Sequence, residues 1–540
     1  MIPIDDRATI GSAFLRAVAT YPSNAFLAVP ENSARGYCQQ GFEIDFAAAG
    51  REVERLIAIY RAKGIGLGHR VAMLLENRPE HFLHKLALNS IGASCVPINP
   101  DYRPAEIGYL LSHAKVDLAL VVADRRAPVE AACADIAEKI SIVTVETLAA
   151  ELRAPSRPVV AGTVTAETEA SVLYTSGTTG RPKGCVLSHG YELACGAWYV
   201  TRGGLLAMEV GGERVYNPLP LYHVNAGVLS FIGLMLTGNC QVQPDRFSPQ
   251  RWWQEVAQTR ATVIHYLGIV VPLLLGQPPS RQDRLHGVRF GLGAGVEPQL
   301  HAAFEARFGF PLVEVWGMTE MVRILTDNHA PRQVGTRAFG RAVPGVEVRV
   351  VDENDQDVGD GEPGEMVIRH SAATPRQGFF SGYLDDPAAT DTAWRGGWFH
   401  TGDTIWRGAD RMLHFVDRRK NIIRRAGENI DAAEVEALLQ AHPSVAQIAV
   451  MAAPDPVREE EVLACIVLRG EYAGDAAAAD ALFGYCFDRL AYFKAPGWIY
   501  FTPSLPTTGT QKIQKHQIFP AGSHFLSLPG MFDMRARKRR

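Results

Sequence analysis

Residues 45–122 alternate between helix-like and strand-like runs, and this rhythm restricts the possible folds more than any other feature. Apolar side chains recur at helical spacing from residue 46 to 60, and residues 71–75 form a short buried-strand pattern. The alternation continues with predicted helices at 79–91 and 104–113 and predicted strands at 94–98 and 118–122. Because crossovers between such strands favour parallel pairing, we predict an α/β fold with helices covering the sheets.

The pattern changes twice farther along the chain. Alternation returns over residues 216–316, and short strands bounded by turn signals follow after about residue 345. A charged run at 417–420 precedes a new set of elements, with helices through 439 and at 478–490 and strands at 445–451 and 462–468. Two or three cores are expected for 540 residues. We predict a large N-terminal domain of several subdomains with a β-rich portion (1–417) and a small α+β C-terminal domain (421–540).

The charge balance argues against a nucleic-acid partner. Basic residues number 54 and acidic residues 58, and five of the basic ones lie within residues 535–540. The rest of the chain therefore carries 49 basic against 58 acidic residues, whereas phosphate neutralisation needs clustered cations. We predict that the basic segment 535–540 is a solvated, disordered end.

Several other classes are excluded by what the sequence lacks. The two longest apolar stretches, 227–238 and 266–276, are too short to span a bilayer as a helix, which takes about 20 residues. Residues 1–7 do not resemble a secretory signal. The eight cysteines form no Cys-x-x-Cys pair, and they are predicted to be reduced, mostly core thiols of a cytoplasmic protein.

Residues 174–184, Tyr-Thr-Ser-Gly-Thr-Thr-Gly-Arg-Pro-Lys-Gly, carry the strongest chemical signal. They follow a predicted strand at 170–173 and precede a predicted helix from about residue 188. Three glycines allow tight turning and close approach to a ligand. The hydroxyls of Ser176, Thr178 and Thr179, the exposed amides and Lys183 together make a concave anion site. This combination indicates polyphosphate binding rather than a small-residue surface loop.

Two better-known nucleotide-binding patterns are excluded. The segment is not a Walker A loop, because Pro182 stands where that pattern has glycine. Residues 291–295, Gly-Leu-Gly-Ala-Gly, miss the dinucleotide fingerprint, because Val296 occupies its last glycine position.

The segment 174–184 resembles the phosphate-binding signature of the adenylate-forming superfamily, which includes acyl- and aryl-CoA synthetases, peptide-synthetase adenylation domains and luciferases. Other segments fall in the family's order and at compatible distances: 219–223, 291–298, 315–320, 397–403, 417–420 with 427–429, and 506–515. The match covers nearly the whole chain. Residues 415–430 most resemble crotonobetaine/carnitine-CoA ligase-like members. The resemblance implies a hinge at 418–420 and a mobile C-terminal domain.

The resemblance implies that a carboxylate attacks the α-phosphorus of ATP, so that pyrophosphate leaves and an acyl-adenylate forms. Glu320 would then bind Mg²⁺, Thr319 would donate to the α-phosphate, and Asp403 would accept from the ribose hydroxyls. Taken alone, Glu320 also fits a solvated turn carboxylate, and Asp403 fits an Asx-turn. Trp316 stands where the family usually has tyrosine against adenine. The implied ATP-binding residues are Thr175, Ser176, Gly177, Thr178, Thr179, Gly180, Lys183, Gly293, Ala294, Gly295, Trp316, Asp403 and Arg418.

Two residues are implied at the reacting carboxylate. Lys512 is the implied catalytic lysine, although Gln511 precedes it where the family commonly has glycine, and Lys515 is a rival. His223 is either a gate or carboxylate contact, or a structural histidine. Together with segments 266–268 and 291–295, residues 223–227 are expected to line the acid pocket.

The second half-reaction implied by the family is thioester formation with coenzyme A. Lys420 occupies the hinge position, and the loop Gly427-Glu428-Asn429 would be presented to the thiol after domain rotation. The leading hypothesis is an ATP-dependent carboxylic acid–CoA ligase that uses Mg²⁺. Two alternatives stay open: a stand-alone adenylation enzyme that loads a carrier-protein thiol, and a catalytically silent nucleotide- or acyl-binding relative.

Overall fold

The structure is a computed structural model, and it describes residues 1–134, 136, 139–175, 182–418, 422–470, 472–506, 515–519 and 524–539. Two compact units are present. Unit 1 comprises Met1–Pro100, Leu110–Tyr174 and Gly184–Asp417, and unit 2 comprises Asp101–Tyr109, Thr175–Lys183 and Arg418–Arg540. Within the described residues, no helix has the length and apolar character needed to cross a bilayer.

Helices and strands alternate in the first 330 residues. They are α1 Ile10–Thr20, β1 Ala25–Val29, β2 Phe42–Asp45, α2 Phe46–Ala62, β3 Arg70–Leu74, α3 Pro79–Ser90, β4 Ser94–Pro97, α4 Pro104–His113, β5 Leu118–Val121, α5 Arg126–Ala132, β6 Ser141–Thr144, α6 Leu148–Glu151, β7 Glu169–Thr175, β8 Lys183–Ser188, α7 His189–Val200, β9 Arg214–Tyr216, α8 Phe231–Thr237, β10 Cys240–Val242, α9 Trp252–Gln258, β11 Val263–Leu267, α10 Val270–Leu275, β12 Phe290–Ala294, α11 Pro298–Phe308, β13 Leu312–Met318 and β14 Met321–Thr326.

Shorter, strand-rich elements follow. They are β15 Glu347–Val351, β16 Gly364–Arg369, β17 Gly382–Tyr383, α12 Pro387–Ala393, β18 Phe399–Arg407, β19 Leu413–Arg418, β20 Ile422–Arg425, β21 Glu428–Asp431, α13 Ala432–Gln440, β22 Val445–Asp455, β23 Glu459–Leu468, α14 Ala476–Phe487, β24 Trp498–Phe501 and β25 Met531–Asp533.

Three sheets are built mainly from the strands of unit 1. An eight-stranded sheet has the order β14-β13-β12-β11-β9-β10-β1-β2, and a seven-stranded sheet has the order β17-β8-β7-β4-β3-β5-β6. Parallel pairs such as β3–β4, β3–β5, β11–β12 and β12–β13 dominate both. A four-stranded sheet, β15-β16-β18-β19, has antiparallel β15–β16 and β16–β18 pairs. The predicted α/β fold with a β-rich portion is confirmed.

Local sequence signals account for where several helices begin. The side chains of Asp45 and Ser188 accept backbone amides at the starts of α2 and α7. Proline is the first residue of α3 and α11, where its missing N–H would have no helical partner.

The structure adds one strand and corrects one expectation. Strand β8 occupies the end of the glycine-rich segment and the residues up to α7, where no strand was predicted, whereas α7 begins at His189, next to its predicted start at about residue 188. The basic segment 535–540 was expected to be disordered, but its described residues are ordered. Strand β25 pairs antiparallel with β24, the Arg535 guanidinium binds Asp455, and Lys538 is buried. These partners are far away in sequence, so charge counting does not reveal them.

Unit 2 contains a sheet with the order β21-β20-β23-β24-β25, and β22 also pairs with β23. Helices α13 and α14 bury apolar side chains against it, including Val435, Leu439, Leu482 and Phe483. Of the eight cysteines, six are buried, Cys133 is half-buried and Cys38 is exposed.

Candidate active site

Strand β13 presents two site residues on one face and ends at two more. Glu314 and Trp316 are two positions apart, so their side chains point to the same face of the sheet. The turn between β13 and β14 is Thr319-Glu320. This single stretch therefore places four polar or aromatic side chains at one end of the eight-stranded sheet.

Trp316 and Asp403 are brought into direct contact. The indole Nε1 donates a hydrogen bond of 2.8 Å to Asp403 Oδ2, and both side chains are buried. Asp403 lies inside strand β18, and only 3% of its surface is exposed, which does not fit the Asx-turn alternative.

Glu320 is held by a tyrosine that the sequence did not reveal. The Tyr383 hydroxyl donates to Glu320 Oε1 at 2.8 Å, and strand β17 positions this tyrosine by pairing Tyr383 with Cys185 of β8. Glu320 is only 6% exposed, so it is not the solvated carboxylate of the alternative hypothesis. Burial and the nearby carboxylate raise the pKa of Tyr383, which keeps its hydroxyl protonated as a donor.

A second tyrosine fixes the backbone beside Glu320. The Tyr191 hydroxyl donates to the Thr319 carbonyl oxygen at 2.6 Å from helix α7. Burial raises the pKa of this tyrosine well above its ordinary value. The Phe380 amide also donates to the Glu320 carbonyl oxygen, at 3.0 Å. The turn is therefore fixed through its backbone as well as through the Glu320 carboxylate.

Residues 293–296 are held by Glu314. Its carboxylate accepts the amides of Gly295 at 3.1 Å and Val296 at 3.2 Å, and it also accepts the Tyr266 hydroxyl at 3.0 Å. Burial raises the pKa of Glu314, and these donors oppose that rise. Gly295 has a φ of 86°, which favours glycine. A Cβ on Gly293 would stand 2.2 Å from the Tyr266 carbonyl oxygen. Both glycines are thus required by the fold.

The segment after His223 forms a π-helix, Asn225–Ser230, which runs directly into α8. A Cβ on Gly227 would lie 2.3 Å from the Leu221 carbonyl oxygen, so this turn packs tightly against residues 219–223. His223 itself is half-buried next to Tyr222, whose ring centroid is 4.6 Å away. π-Helical turns occur frequently at functional sites.

Buried hydrogen bonds join this π-helix to strand β11. The Asn225 Oδ1 atom lies 2.7 Å from His265 Nδ1, and the Tyr199 hydroxyl lies 2.7 Å from His265 Nε2. Burial lowers the pKa of His265 to about 3, so its ring is neutral and has one N–H. A proton on Nδ1 satisfies both contacts, with donation to Asn225 and acceptance from Tyr199. Tyr266, which follows His265 on β11, pairs with Gly293 of β12. The hydrogen bonds and this strand pairing together bring the segments 223–227, 266–268 and 291–295 close to one another.

The glycine-rich segment connects two neighbouring strands of the seven-stranded sheet. Thr175 ends β7 and Lys183 begins β8, and both side chains are half-buried. The predicted phosphate-binding residues Ser176, Gly177, Thr178, Thr179 and Gly180 lie outside the described residues. β8 also pairs with β17, the strand that carries Tyr383. The strand that follows the glycine-rich segment therefore lies beside the strand of Tyr383.

In unit 2, the loop Gly427-Glu428-Asn429 belongs to the hairpin β20–β21. Ala426 and Gly427 form its turn with φ values of 50° and 90°, the pattern of a type I′ turn.

Lys515, the rival catalytic lysine, donates to the Val450 carbonyl oxygen at 2.8 Å and forms an ion pair with Glu436 at 2.7 Å. Lys512, Gln511 and Lys420 lie outside the described residues, and so does the side chain of Arg418.

The donors at the turn between β13 and β14 suit Mg²⁺. This ion is usually bound by one or two carboxylates together with substrate phosphates and water. The buried Glu320 carboxylate, orientated by a neutral phenol, fits that role. No group of three or more His, Cys, Asp or Glu side chains that could hold a metal alone occurs among the described residues.

Four residues of the site carry no motif that pointed to them: Tyr383, Tyr191, Glu314 and His265. Each acts through a partner distant in sequence; Tyr383 and Glu320, for instance, are 63 positions apart. Glu314 could have been found from strand alternation, because it precedes Trp316 by two positions.

Comparison with known proteins identifies the family. The model of the AMP-binding enzyme family matches residues 14–384. The chain belongs to the AMP-binding enzyme family. The model of the AMP-binding enzyme C-terminal domain also matches, over residues 434–512. The resemblance to the adenylate-forming superfamily is thereby confirmed.

Two relatives among the AMP-binding enzymes are acid–CoA ligases. A sulfoacetate–CoA ligase from Cupriavidus necator is 30% identical over 518 residues, which cover 94% of this chain and 96% of the relative. A crotonobetaine/carnitine–CoA ligase from Citrobacter koseri is 30% identical over 504 residues, covering 88% and 93%.

Solved structures of AMP-binding enzymes share the fold. An amide bond synthetase from Marinactinospora thermotolerans superposes with a TM-score of 0.79 at 25% identity, covering 95% of this chain and 99% of that one. An o-succinylbenzoate CoA synthetase from Bacillus subtilis gives a TM-score of 0.77 at 23% identity, covering 94% and 97%.

Proposed function

We propose that this chain is an ATP-dependent carboxylic acid–CoA ligase. One observation carries the proposal: two buried carboxylates, Glu320 and Asp403, are orientated by the neutral donors Tyr383 and Trp316 at the end of strand β13. A neutral donor orientates a carboxylate without placing a compensating charge beside it. The relatedness to acid–CoA ligases over nearly the full length of both chains supports the same conclusion.

In the first half-reaction, a carboxylate oxygen attacks the α-phosphorus of ATP and pyrophosphate leaves, so positioning and charge stabilisation dominate catalysis. The segment 176–180 with Thr175 and Lys183 would hold the phosphates. Glu320 would hold Mg²⁺, which when bound neutralises charge on phosphate oxygens. Asp403 and Arg418 would hold the ribose, and Trp316 and residues 293–295 would contact adenine. Thr319 would donate to the α-phosphate.

We propose that Lys512 stabilises the negative charge that shifts between the carboxylate and the α-phosphate during the reaction. Its rival Lys515 already binds Glu436 and the Val450 carbonyl oxygen, which supports this choice. Lys512→Ala should lower ATP–pyrophosphate exchange by about 10²–10³-fold, the usual loss for one charge-stabilising donor. Lys515→Ala is the matched control and should retain exchange within about twofold. Loss of exchange in Lys515→Ala alone would reverse the assignment.

In the second half-reaction, the thiolate of coenzyme A attacks the acyl carbonyl and AMP leaves. The Gly427-Glu428-Asn429 loop would receive the thiol after rotation of the C-terminal domain (421–540) about Lys420. Lys420→Pro would fix φ at the hinge. It should spare pyrophosphate exchange more than thioester formation, whereas equal loss of both would argue against the hinge.

The deciding experiment measures AMP release with a panel of acids, with and without coenzyme A. Two relatives are named for sulfoacetate and for crotonobetaine/carnitine, so the panel contains these acids beside simple aliphatic and aryl acids. Acid-dependent exchange with coenzyme A-dependent AMP release supports the ligase. Exchange without a coenzyme A effect favours a carrier-protein thiol, or an amine as the similarity to an amide bond synthetase suggests. Nucleotide binding with no exchange on any acid would indicate a silent relative.

A further inference from the structure

The segment 531–539 is built into unit 2. Strand β25 pairs antiparallel with β24, with Ile499 opposite Phe532. The Met534 amide then donates to the Gly497 carbonyl oxygen at 2.9 Å. These backbone bonds fix the start of the basic segment, so the positions of its side chains are determined by the sheet.

Lys538 from this segment reaches a buried carboxylate. Its Nζ atom lies 2.5 Å from Glu461 Oε1 and 3.0 Å from the Phe493 carbonyl oxygen, and both charged side chains are 0% exposed. The other oxygen, Glu461 Oε2, accepts Arg425 Nε at 2.7 Å. One carboxylate therefore joins Lys538 to Arg425, which is the last residue of β20.

Arg535 makes a second, parallel connection. Its Nη1 atom donates to Asp455 Oδ2 at 3.1 Å, and its guanidinium carbon lies 4.4 Å from the Trp498 ring centroid. Asp455 Oδ1 also accepts the Arg458 amide at 2.9 Å. The Arg458 carbonyl oxygen in turn accepts the Ala426 amide at 3.0 Å. This connection also ends at the β20–β21 turn.

Both connections end at the β20–β21 turn, which has an unfavourable backbone conformation that contacts with other residues must stabilise. Ala426 holds a φ of 50°, a left-handed conformation that is unfavourable for an L-residue other than glycine. Burying three charged groups together is also a poor way to gain stability, because their desolvation offsets the mutual attraction. Burial lowers the pKa of Lys538 to about 7, and the second cation, Arg425, adds to this effect against the attraction of Glu461. A gain in folding stability therefore does not explain this arrangement. Its hydrogen bonds instead connect the basic segment to the β20–β21 turn.

We infer that Lys538 and Arg535 are positioning residues for the Gly427-Glu428-Asn429 loop, and that they act through Glu461 with Arg425 and through Asp455 with Arg458. The inference rests on the proposed function, which assigns that loop to thioester formation. The basic segment then serves the second half-reaction and leaves the first unaffected.

Lys538→Met removes the amino group that binds Glu461 and the Phe493 carbonyl oxygen, and it keeps most of the side-chain volume. Thioester formation from preformed acyl-adenylate should fall about tenfold or more, because small misplacements of a positioning loop are costly. Pyrophosphate exchange should stay within about twofold. Arg535→Ala, at a partly exposed position, tests the second connection while Glu461 keeps both of its partners, and it should give the same pattern. Thermal unfolding accompanies each variant to verify folding.

A double-mutant cycle tests the path. If Lys538 acts through Glu461 on Arg425, the two substitutions should not act independently. The double variant Lys538→Met/Arg425→Met should then lose less thioester formation than the product of the fold-losses in the two single variants. Arg537→Ala is the matched control, because this residue of the same segment binds Asp480 at the surface. It should leave both half-reactions unchanged.

The outcomes separate this inference from the proposed function. A wild-type chain without coenzyme A-dependent AMP release would overturn the proposed function itself. A wild type that has this activity, with Lys538→Met and Arg535→Ala folded and either unaffected or equally slow in both half-reactions, would overturn only the positioning role.

Discussion

The two candidate regions of the molecule hold their key groups by opposite means. In unit 1, the indole of Trp316 and the phenol of Tyr383 are neutral donors to Asp403 and Glu320. In unit 2, the hairpin β20–β21 is held by buried charges centred on Glu461. A carboxylate that must bind a ligand keeps its charge beside a neutral donor. A carboxylate that only holds the backbone in place can be shared between two basic side chains.

The largest effect should come from removing the negative charge in unit 1 that is proposed to bind Mg²⁺. Glu320→Gln keeps the shape and removes the negative charge, so pyrophosphate exchange should fall about 10²–10³-fold. The measurement is exchange at saturating acid across a Mg²⁺ titration. Glu347→Gln is a control at a half-exposed carboxylate that pairs with Arg369. Near-normal exchange in Glu320→Gln would remove Glu320 from the metal site and break the comparison.

Removing the neutral donor should have a smaller effect. Tyr383→Phe deletes one hydrogen bond to a charged group, a bond typically worth about 1.5–3 kcal/mol, so exchange should fall about tenfold or more and need more Mg²⁺. Tyr472→Phe, at an exposed tyrosine, is the control. An unchanged Mg²⁺ requirement would show that Tyr383 does not orientate the metal-binding carboxylate.

Trp316→Phe should have a milder effect, concentrated on ATP. It removes the N–H that fixes Asp403 and keeps an aromatic face, so KM for ATP should rise about fivefold with little change in kcat. Steady-state exchange kinetics at varied ATP measure this, and the thermal midpoint tests for loss of packing. A fall in kcat with an unchanged KM would contradict a nucleotide-positioning role.

The smallest expected effect is a pH dependence of folding stability that arises from Lys538 in unit 2. The pKa of Lys538 is about 7 in the folded chain, below its ordinary value, so between pH 7 and about 10 the unfolded chain binds more protons. Stability should therefore rise with pH in this window. The thermal midpoint of the wild type minus that of Lys538→Met should increase from pH 7 to 9.5. A constant difference would show that Lys538 keeps its proton through this range.

Much of the fold was predictable because its signals are local. The strand β3 and the helices α3 and α4 are short apolar or periodic runs, and their bounds agree with the predictions to within a residue or two. Strand β8 was missed because it directly follows a glycine-rich segment whose composition indicates a loop. Its strand conformation is supported by sheet partners, among them β17, which lies almost 200 residues later.

The site was predictable in its motif residues and not in their supports. The family resemblance pointed to Trp316 and Asp403, which the structure joins across 87 positions, but it did not indicate that one donates to the other. Lys538 and Glu461 are 77 positions apart, and a count of charges places lysine at the surface. Such partners are determined by sheet order and burial, which a linear pattern does not contain.

The π-helix at Asn225–Ser230 limits how this protein can diversify. A π-turn holds one more residue than the α-turn it replaces. Deleting one residue there would restore the ordinary helix and rotate the preceding side chains by about 100°, which would carry Asn225 away from His265. With residues 223–227 in their proposed place at the acid pocket, a new acid preference should therefore evolve by exchanging side chains at constant loop length, with insertions and deletions selected against.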